Sequence, residues 1–193
     1  MIKTKEDLRQ YIAADRSRYP LRWFDRFIYS EVWHTVCYLR NLRKLEYALN
    51  NRHRLANKLL WAIRYLRWRR QNWRFGIAIC PNTCDKGLYI THLLGGGIII
   101  VKHARLGENC IIGPNCIIGT KRSASDVPTI GNNVEICMGA KLYGALTVGD
   151  NAIIAPNSVV IKDVPQGAIV SGVPASIVKI KNETPHTDYL SVK

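Results

Sequence analysis

From Ile100 onward a branched aliphatic residue returns at every sixth position. The series runs Ile100, Leu106, Ile112 and Ile118, pauses, and resumes at Ile130, Ile136, Leu142, Val148, Ile154 and Val160. Glycine often follows the beat, at Gly107, Gly113, Gly119, Gly131 and Gly149. Four residues after the beat stands a small or modest side chain, at Cys110, Cys116, Val134, Ala140, Ala152 and Ser158. The strands of a sandwich vary in length and are separated by irregular turns, so they do not keep such a register. A hexapeptide period builds a parallel β-helix, in which each short strand buries its apolar side only by stacking on the next coil. The repeat therefore predicts a mostly β chain over residues 76–181.

Residues 1–75 are built differently. They hold 18 Lys and Arg against 6 Asp and Glu, a balance of +12 within a total of +14, together with all five Trp. The chain divides near Phe75-Gly76 into a basic, aromatic, α-helical region and a nearly neutral repeat. No basic start leads into an apolar run of the secretory kind, and no apolar run approaches spanning length, so the cytoplasm is the expected compartment. The cysteines fit that expectation. Cys110 and Cys116 occupy the small-residue slot, where a buried thiol acts as a small apolar group. Cys80 and Cys84 lack partner ligands for zinc, so no metal is expected.

Helices are expected over 1–18, from Glu31 to Leu49 with Ser30 as N-cap, and from about His53 to Trp73. Leu55, Leu59, Ala62, Ile63 and Leu66 are the apolar positions of the third. It interleaves Arg64, Arg67, Arg69, Arg70 and Arg74 with Trp61, Trp68 and Trp73. That pattern suits a packing or oligomer-forming helix whose arginine stems cover aromatic surface. A peripheral contact with an anionic membrane is the competing reading. No nucleic-acid motif accompanies the charge, so nucleic acid is not an expected partner.

Residues Ile79 to Ile90 read as a first, imperfect coil. The glycine run Gly95-Gly96-Gly97 then precedes the regular beat. The polar stretch from Gly119 to Thr129, punctuated by Pro128, is expected to leave the helix as a loop, and insertions in repeat arrays tend to carry function. Val164-Pro165 ends the repeat, Gly172-Val173-Pro174-Ala175 makes a turn, and Ile177 to Ile180 adds a last strand. Residues 182–193 are expected to form a loose tail.

Four segments together resemble the left-handed β-helix acyltransferases: Gly139-Ala140-Lys141-Leu142, Asn157-Ser158-Val159-Val160, Val164-Pro165 and Gly172-Val173-Pro174-Ala175. Within that group the chain is most similar to serine acetyltransferases and their relatives encoded with polysaccharide-synthesis genes. The resemblance covers about residues 76–180 strongly and the helices weakly. It implies left-handed coils of three hexads, a homotrimer or larger homo-oligomer, and active sites at subunit boundaries. It also implies acetyl-CoA as co-substrate and a small-molecule acceptor with a hydroxyl. L-serine or a related small molecule is the first choice of acceptor, and a sugar or lipid-linked saccharide the alternative.

Acetyl transfer from a thioester to a hydroxyl needs a base, an oxyanion donor and a slot for the CoA arm. Histidine suits the base because its ordinary pKa lies close to working pH. Of the five histidines, only His92 and His103 lie in the repeat. His92 stands where the family's catalytic histidine precedes its glycines, and His103 is the second catalytic candidate. Resemblance by position assigns Gly119, Gly139, Ala140 and Ala155 to the CoA arm, with Lys162 and Lys179 near its phosphates. Thr91, Arg122 and Asp126 are the acceptor-side candidates, and the amides of the glycine run are candidate oxyanion donors.

The chain departs from the family at several of these places. The Asp that precedes the family's histidine is Thr91 here. The Asp that orients the base falls at about Ala78, and the family's loop histidine falls at Val127. A zinc hydratase on the same architecture needs three converging histidines, and the repeat offers two. A non-catalytic scaffold is the remaining alternative.

Overall fold

The computed structural model describes residues 1–53 and 55–180. Helix α1 (Lys5–Ser17) opens on a capping box: the Thr4 hydroxyl accepts from the Asp7 N–H, and the Asp7 carboxylate accepts from the Thr4 N–H. Helix α2 (Glu31–Asn50) starts on the expected cap, with the Ser30 hydroxyl accepting from the Trp33 N–H at 3.2 Å. Helix α3 (Leu55–Phe75) stops at Gly76, whose φ of 63° is the left-handed conformation that ends helices.

The repeat then forms short strands: β1 (Ala78–Ile79), β2 (Tyr89–Ile90), β3 (Ile99–Ile100), β4 (Arg105–Leu106), β5 (Ile111–Ile112) and β6 (Ile117–Gly119). After the loop come β7 (Thr129–Ile130), β8 (Glu135–Ile136), β9 (Lys141–Tyr143), β10 (Thr147–Val148), β11 (Ile153–Ile154), β12 (Val159–Val160), β13 (Ala168–Gly172) and β14 (Ala175–Ile180). They stack into three parallel sheets. One runs β1-β3-β6-β9-β12, another β4-β7-β10, and the third β2-β5-β8-β11-β13, with β14 added antiparallel at its edge. Single bridges from Cys84 and Val164 extend the second sheet at both ends. This is the β-helix expected from the period of six.

All ten beat residues are buried inside the prism, as are Cys110, Cys116, Val134, Ala140, Ala152 and Ser158. The register matches beat to beat, for example Ile100 with Ile118 and Ile118 with Leu142. From Ile118 to Ile130 the chain spends two hexads in place of one. Leu106 therefore still pairs with Ile130, and the loop leaves the ladder undisturbed.

The corners follow one rule as well. The third residue after an inward aliphatic takes positive φ at Asn82, Asn109, Asn115, Asn133, Asn151, Asn157 and Gly139. Asn and Gly occupy that conformation at least cost. His103 stands at the same corner position with φ 75°. Gly97, also left-handed at φ 70°, has no room for a side chain, because an added Cβ would lie 2.9 Å from the Asn115 Cα. Gly97→Ala is expected to lower unfolding free energy by about 2 kcal/mol in chemical denaturation, from strain and overlap together.

The helices share a core with the first coil. Tyr38, Leu39, Leu42, Leu45 and Trp68 join Ile77, Ile79, Cys84, Leu88 and Ile90 in one buried cluster. Through it runs Arg43, fully buried on α2. Its guanidinium meets Asp15 of α1 at 2.7 Å and Glu46 at 3.1 Å, and donates to the carbonyls of Cys84 and Asp85 at 2.7 Å each. Asp15 in turn accepts from the N–H groups of Gly87 and Leu88.

The third helix turns the other way from its aliphatic pattern. Leu59, Ile63 and Leu66 are exposed, while Trp68 and Phe75 are buried and Trp61 and Tyr65 pack against the core. The aromatic rings carry more area, and the Trp68 indole N–H gains the Ile79 carbonyl at 3.2 Å, so the aromatic face wins the core. The tail expected over 182–193 lies outside the described residues.

Candidate active site

Two edges of the prism carry the candidate residues. Where the chain passes from the third sheet to the first, the corners stack as His92 to Gly97, Pro114-Asn115, Met138-Gly139 and Pro156-Asn157. Backbone bonds tie them one above the next: Asn115 N–H to Gly96, Gly139 N–H to Pro114, and Asn157 N–H to Met138, at 2.8 to 2.9 Å. His92, Thr91, Gly139, Ala140 and Ala155 all belong to this edge. Ala140 directs its side chain into the core, and Gly139 lies under the Asn157 amide, so both present backbone rather than side chain.

The second edge, from the first sheet to the second, holds His103, the Gly119-to-Thr129 loop and Lys162. Gly119 is buried under the Tyr143 ring. Asp126 closes the loop, accepting from the Arg122 N–H at 3.2 Å and from the Ala145 N–H. The Asp126 carboxylate is thus engaged in holding the loop's shape, while the Arg122 side chain is exposed. Lys162 and Lys179 are exposed as well, Lys179 on β14 at the margin of the third sheet. Within one chain His92 and the loop stand on different edges.

His92 projects from its corner with 64% of its side chain exposed, and its Nδ1 lies 3.5 Å from Glu31 Oε2. The other oxygen, Oε1, accepts from the Leu94 N–H at 2.9 Å. Glu31 is the first residue of α2, held in place by the Ser30 cap immediately before it. The helical region therefore supplies a carboxylate to the imidazole, while Ala78, where the resemblance looks for one, is a strand residue of β1 paired with Ile99. Glu31 was not among the sequence candidates. The pair spans 61 positions and joins two differently patterned regions, and the only local signal was an acid at a helix start.

The glycine run is more occupied than the sequence suggested. Gly96 donates to Leu93 and Gly97 to Gly76, which leaves the Gly95 N–H of the three among the described residues. Gly95 packs on the Pro114 ring, where an added Cβ would come within 2.7 Å. Burial pushes the Cys110 and Cys116 thiols up to about 11, and Cys84 to about 12, as expected of thiols used for packing. Among the described residues no group of three or more His, Cys, Asp or Glu converges as a metal site would require.

Residues 128–162 match the bacterial transferase hexapeptide (six repeats) family. A serine acetyltransferase of Helicobacter pylori is 30% identical over 162 residues, covering 81% of this chain and 86% of that protein. The chain belongs to the serine acetyltransferase family. A Synechococcus elongatus serine acetyltransferase is 35% identical over 53% of this chain, which spans only 43% of that protein's length. For a Staphylococcus xylosus serine acetyltransferase, 38% identical over 54% of this chain, the share of its length is 49%.

Among solved structures of the family, a Brucella abortus serine acetyltransferase aligns with TM-score 0.70 and 27% identity, over 93% of this chain and 70% of its own. The same Brucella enzyme in complex with coenzyme A aligns at 0.67 and 26% identity, covering 93% and 69%. A Neisseria gonorrhoeae serine acetyltransferase in complex with serine aligns at 0.69 and 26%, covering 91% and 70%. What these alignments share with the chain is the fold of the hexapeptide β-helix and the helices before it.

Proposed function

We propose that this protein transfers an acetyl group from acetyl-CoA to the hydroxyl of L-serine or a closely related small acceptor, with His92 as the general base. The observation that carries this reading is the His92–Glu31 pair. A carboxylate on Nδ1 favours the tautomer that keeps the proton there and leaves Nε2 free to accept another. As the acceptor oxygen attacks the thioester carbon, Nε2 takes the hydroxyl proton. The carbonyl becomes a tetrahedral oxyanion, for which the Gly95 N–H is the available backbone donor in the run. Collapse breaks the C–S bond, and the imidazolium returns its proton to the departing CoA thiolate. Glu31 stabilises the imidazolium between those two events.

Family membership supports the reading, as do the coenzyme A and serine complexes of the aligned structures. The assembly we infer is a homotrimer or larger, since a neighbouring copy is what would bring the loop edge of one chain to the His92 edge of another. In that arrangement Gly119, Gly139, Ala140 and Ala155 line the CoA arm, Lys162 and Lys179 face its phosphates, and Thr91, His103 and Arg122 face the acceptor. The compartment we infer is the cytoplasm, as one that holds acetyl-CoA.

Thiol release from acetyl-CoA in the presence of L-serine tests the reading. Glu31 acts through His92 and is a positioning residue. Glu31→Gln is expected to lower kcat about thirtyfold with the KM for serine little changed, less than the roughly hundredfold or more that losing the general base itself would cost. Glu31→Asp is expected to retain part of the rate. Unchanged kcat in Glu31→Gln would remove Glu31 from the mechanism, and a wild type inert toward serine would remove the acceptor assignment.

A further inference from the structure

On α3, Leu59, Ile63, Leu66 and Trp73 recur at spacings of four, three and seven, which places them along one line of the helix. They are 67%, 54%, 64% and 81% exposed, on the side opposite Trp68 and Phe75. The line is about 20 Å long at the usual rise per residue. Arg67, Arg70 and Arg74 run beside it, and Lys58 and Arg69 border its far side. Helix α3 contains six Lys and Arg and no acid. Among the described residues none of these six cations pairs with a carboxylate.

Toward α2 the same face opens into a groove of about 870 Å³ walled by Ile63, Leu66, Arg67, Arg70 and Trp73. Further along that helix pair, Arg40 and Lys44 of α2 crowd against Arg64 and Arg67. Burial and then the neighbouring guanidiniums hold the Lys44 ammonium below its usual range, and Arg64 is pulled down in the same way. The Arg64 Nε is buried without a partner. The helix pair thus gathers cations that no carboxylate among the described residues offsets.

We propose that the outer face of α3, with Arg67, Arg70 and Arg74 beside it, docks on an anionic phospholipid surface. The apolar line would enter the headgroup boundary while the flanking arginines meet lipid phosphates, the arrangement of a helix lying in the membrane plane. No helix among the described residues is long and apolar enough to cross a bilayer, so the contact would be peripheral. A second copy is the poorer occupant, because two such faces would set uncompensated cations against each other. A nucleic-acid backbone would match the charge but leave the apolar line exposed to water. The inference is independent of the acetyl-transfer reading.

Co-sedimentation of the full chain with vesicles tests it, using phosphatidylcholine alone and phosphatidylcholine mixed with phosphatidylglycerol. The wild type is expected to partition roughly a hundredfold more strongly to the anionic vesicles, and to lose that preference in high salt. Arg67→Glu/Arg70→Glu/Arg74→Glu should lose binding by roughly a hundredfold, whereas the corresponding triple lysine variant should keep most of it. Leu59→Ser/Leu66→Ser/Trp73→Ser should lose about tenfold or more while its far-ultraviolet circular dichroism stays that of the wild type. Equal retention on neutral vesicles, or binding indifferent to salt, would overturn the proposal. So would loss of oligomer mass in the serine variant, by light scattering, with no vesicle binding by the wild type: the face would then join copies of this chain.

Discussion

His92→Ala is expected to reduce acetyl transfer to L-serine by about a thousandfold in kcat, with little change in the KM for acetyl-CoA. The size follows from what the imidazole does. Without it the acceptor hydroxyl must attack while still carrying its proton, or lose that proton to water, and the leaving thiolate has no poised acid. The substitution sits at an exposed corner outside the coil core, so denaturation midpoints should be those of the wild type. Comparison with His103→Ala separates the two catalytic candidates. His103 occupies a left-handed corner otherwise held by Asn or Gly, on a different edge of the same prism. If His103→Ala loses the thousandfold and His92→Ala does not, the roles assigned here are reversed. If neither substitution matters, acetyl transfer through a histidine base fails as a description of this protein.

Arg43→Met should have the largest effect on stability, a loss of about 4 kcal/mol in chemical denaturation. Methionine approximates the volume of the arginine stem, so the cost is chiefly electrostatic. Asp15 and Glu46 would be left buried together without their cation, and the carbonyls of Cys84 and Asp85 would lose a donor. Burial already pushes the Glu46 carboxyl upward against the pull of Arg43, and removing the arginine raises it further. An acid whose pKa is raised in the folded state binds more protons folded than unfolded, so the folded state gains relative stability as pH falls. The deficit of Arg43→Met is therefore largest at neutral pH and shrinks toward acid pH. Arg43→Met/Asp15→Asn/Glu46→Gln should recover much of the loss, since the triple variant leaves no buried charge unpaired. A single variant as stable as wild type would show that this network does not fasten the helices to the first coil.

The corner histidine and the fastening arginine differ in how far they could be anticipated. His92 is singled out by resemblance, standing where the family's catalytic histidine precedes its glycines, and the segment that carries that resemblance is contiguous in the chain. Arg43 gave no warning. It is one of 18 basic residues in the first 75, and nothing in the helical pattern distinguishes it from those that face water. Its burial is decided by Asp15 on another helix and by two carbonyls of the first coil. Glu31 is the same kind of case, since its contact with His92 depends on how α2 lies against the histidine corner.

The hexads by themselves determined the β-helix and its inward-facing residues, because a six-residue period leaves each beat only one direction in which to be buried. Tertiary structure alone decided what the helical region contributes. Apolar periodicity in α3 offered two faces, one aliphatic and one aromatic, and the larger rings with a partner for the Trp68 indole took the core. That choice left the aliphatic line outside, and the packing of α2 set Glu31 beside His92. Such contacts depend on the relative placement of elements, which no periodicity within either element encodes.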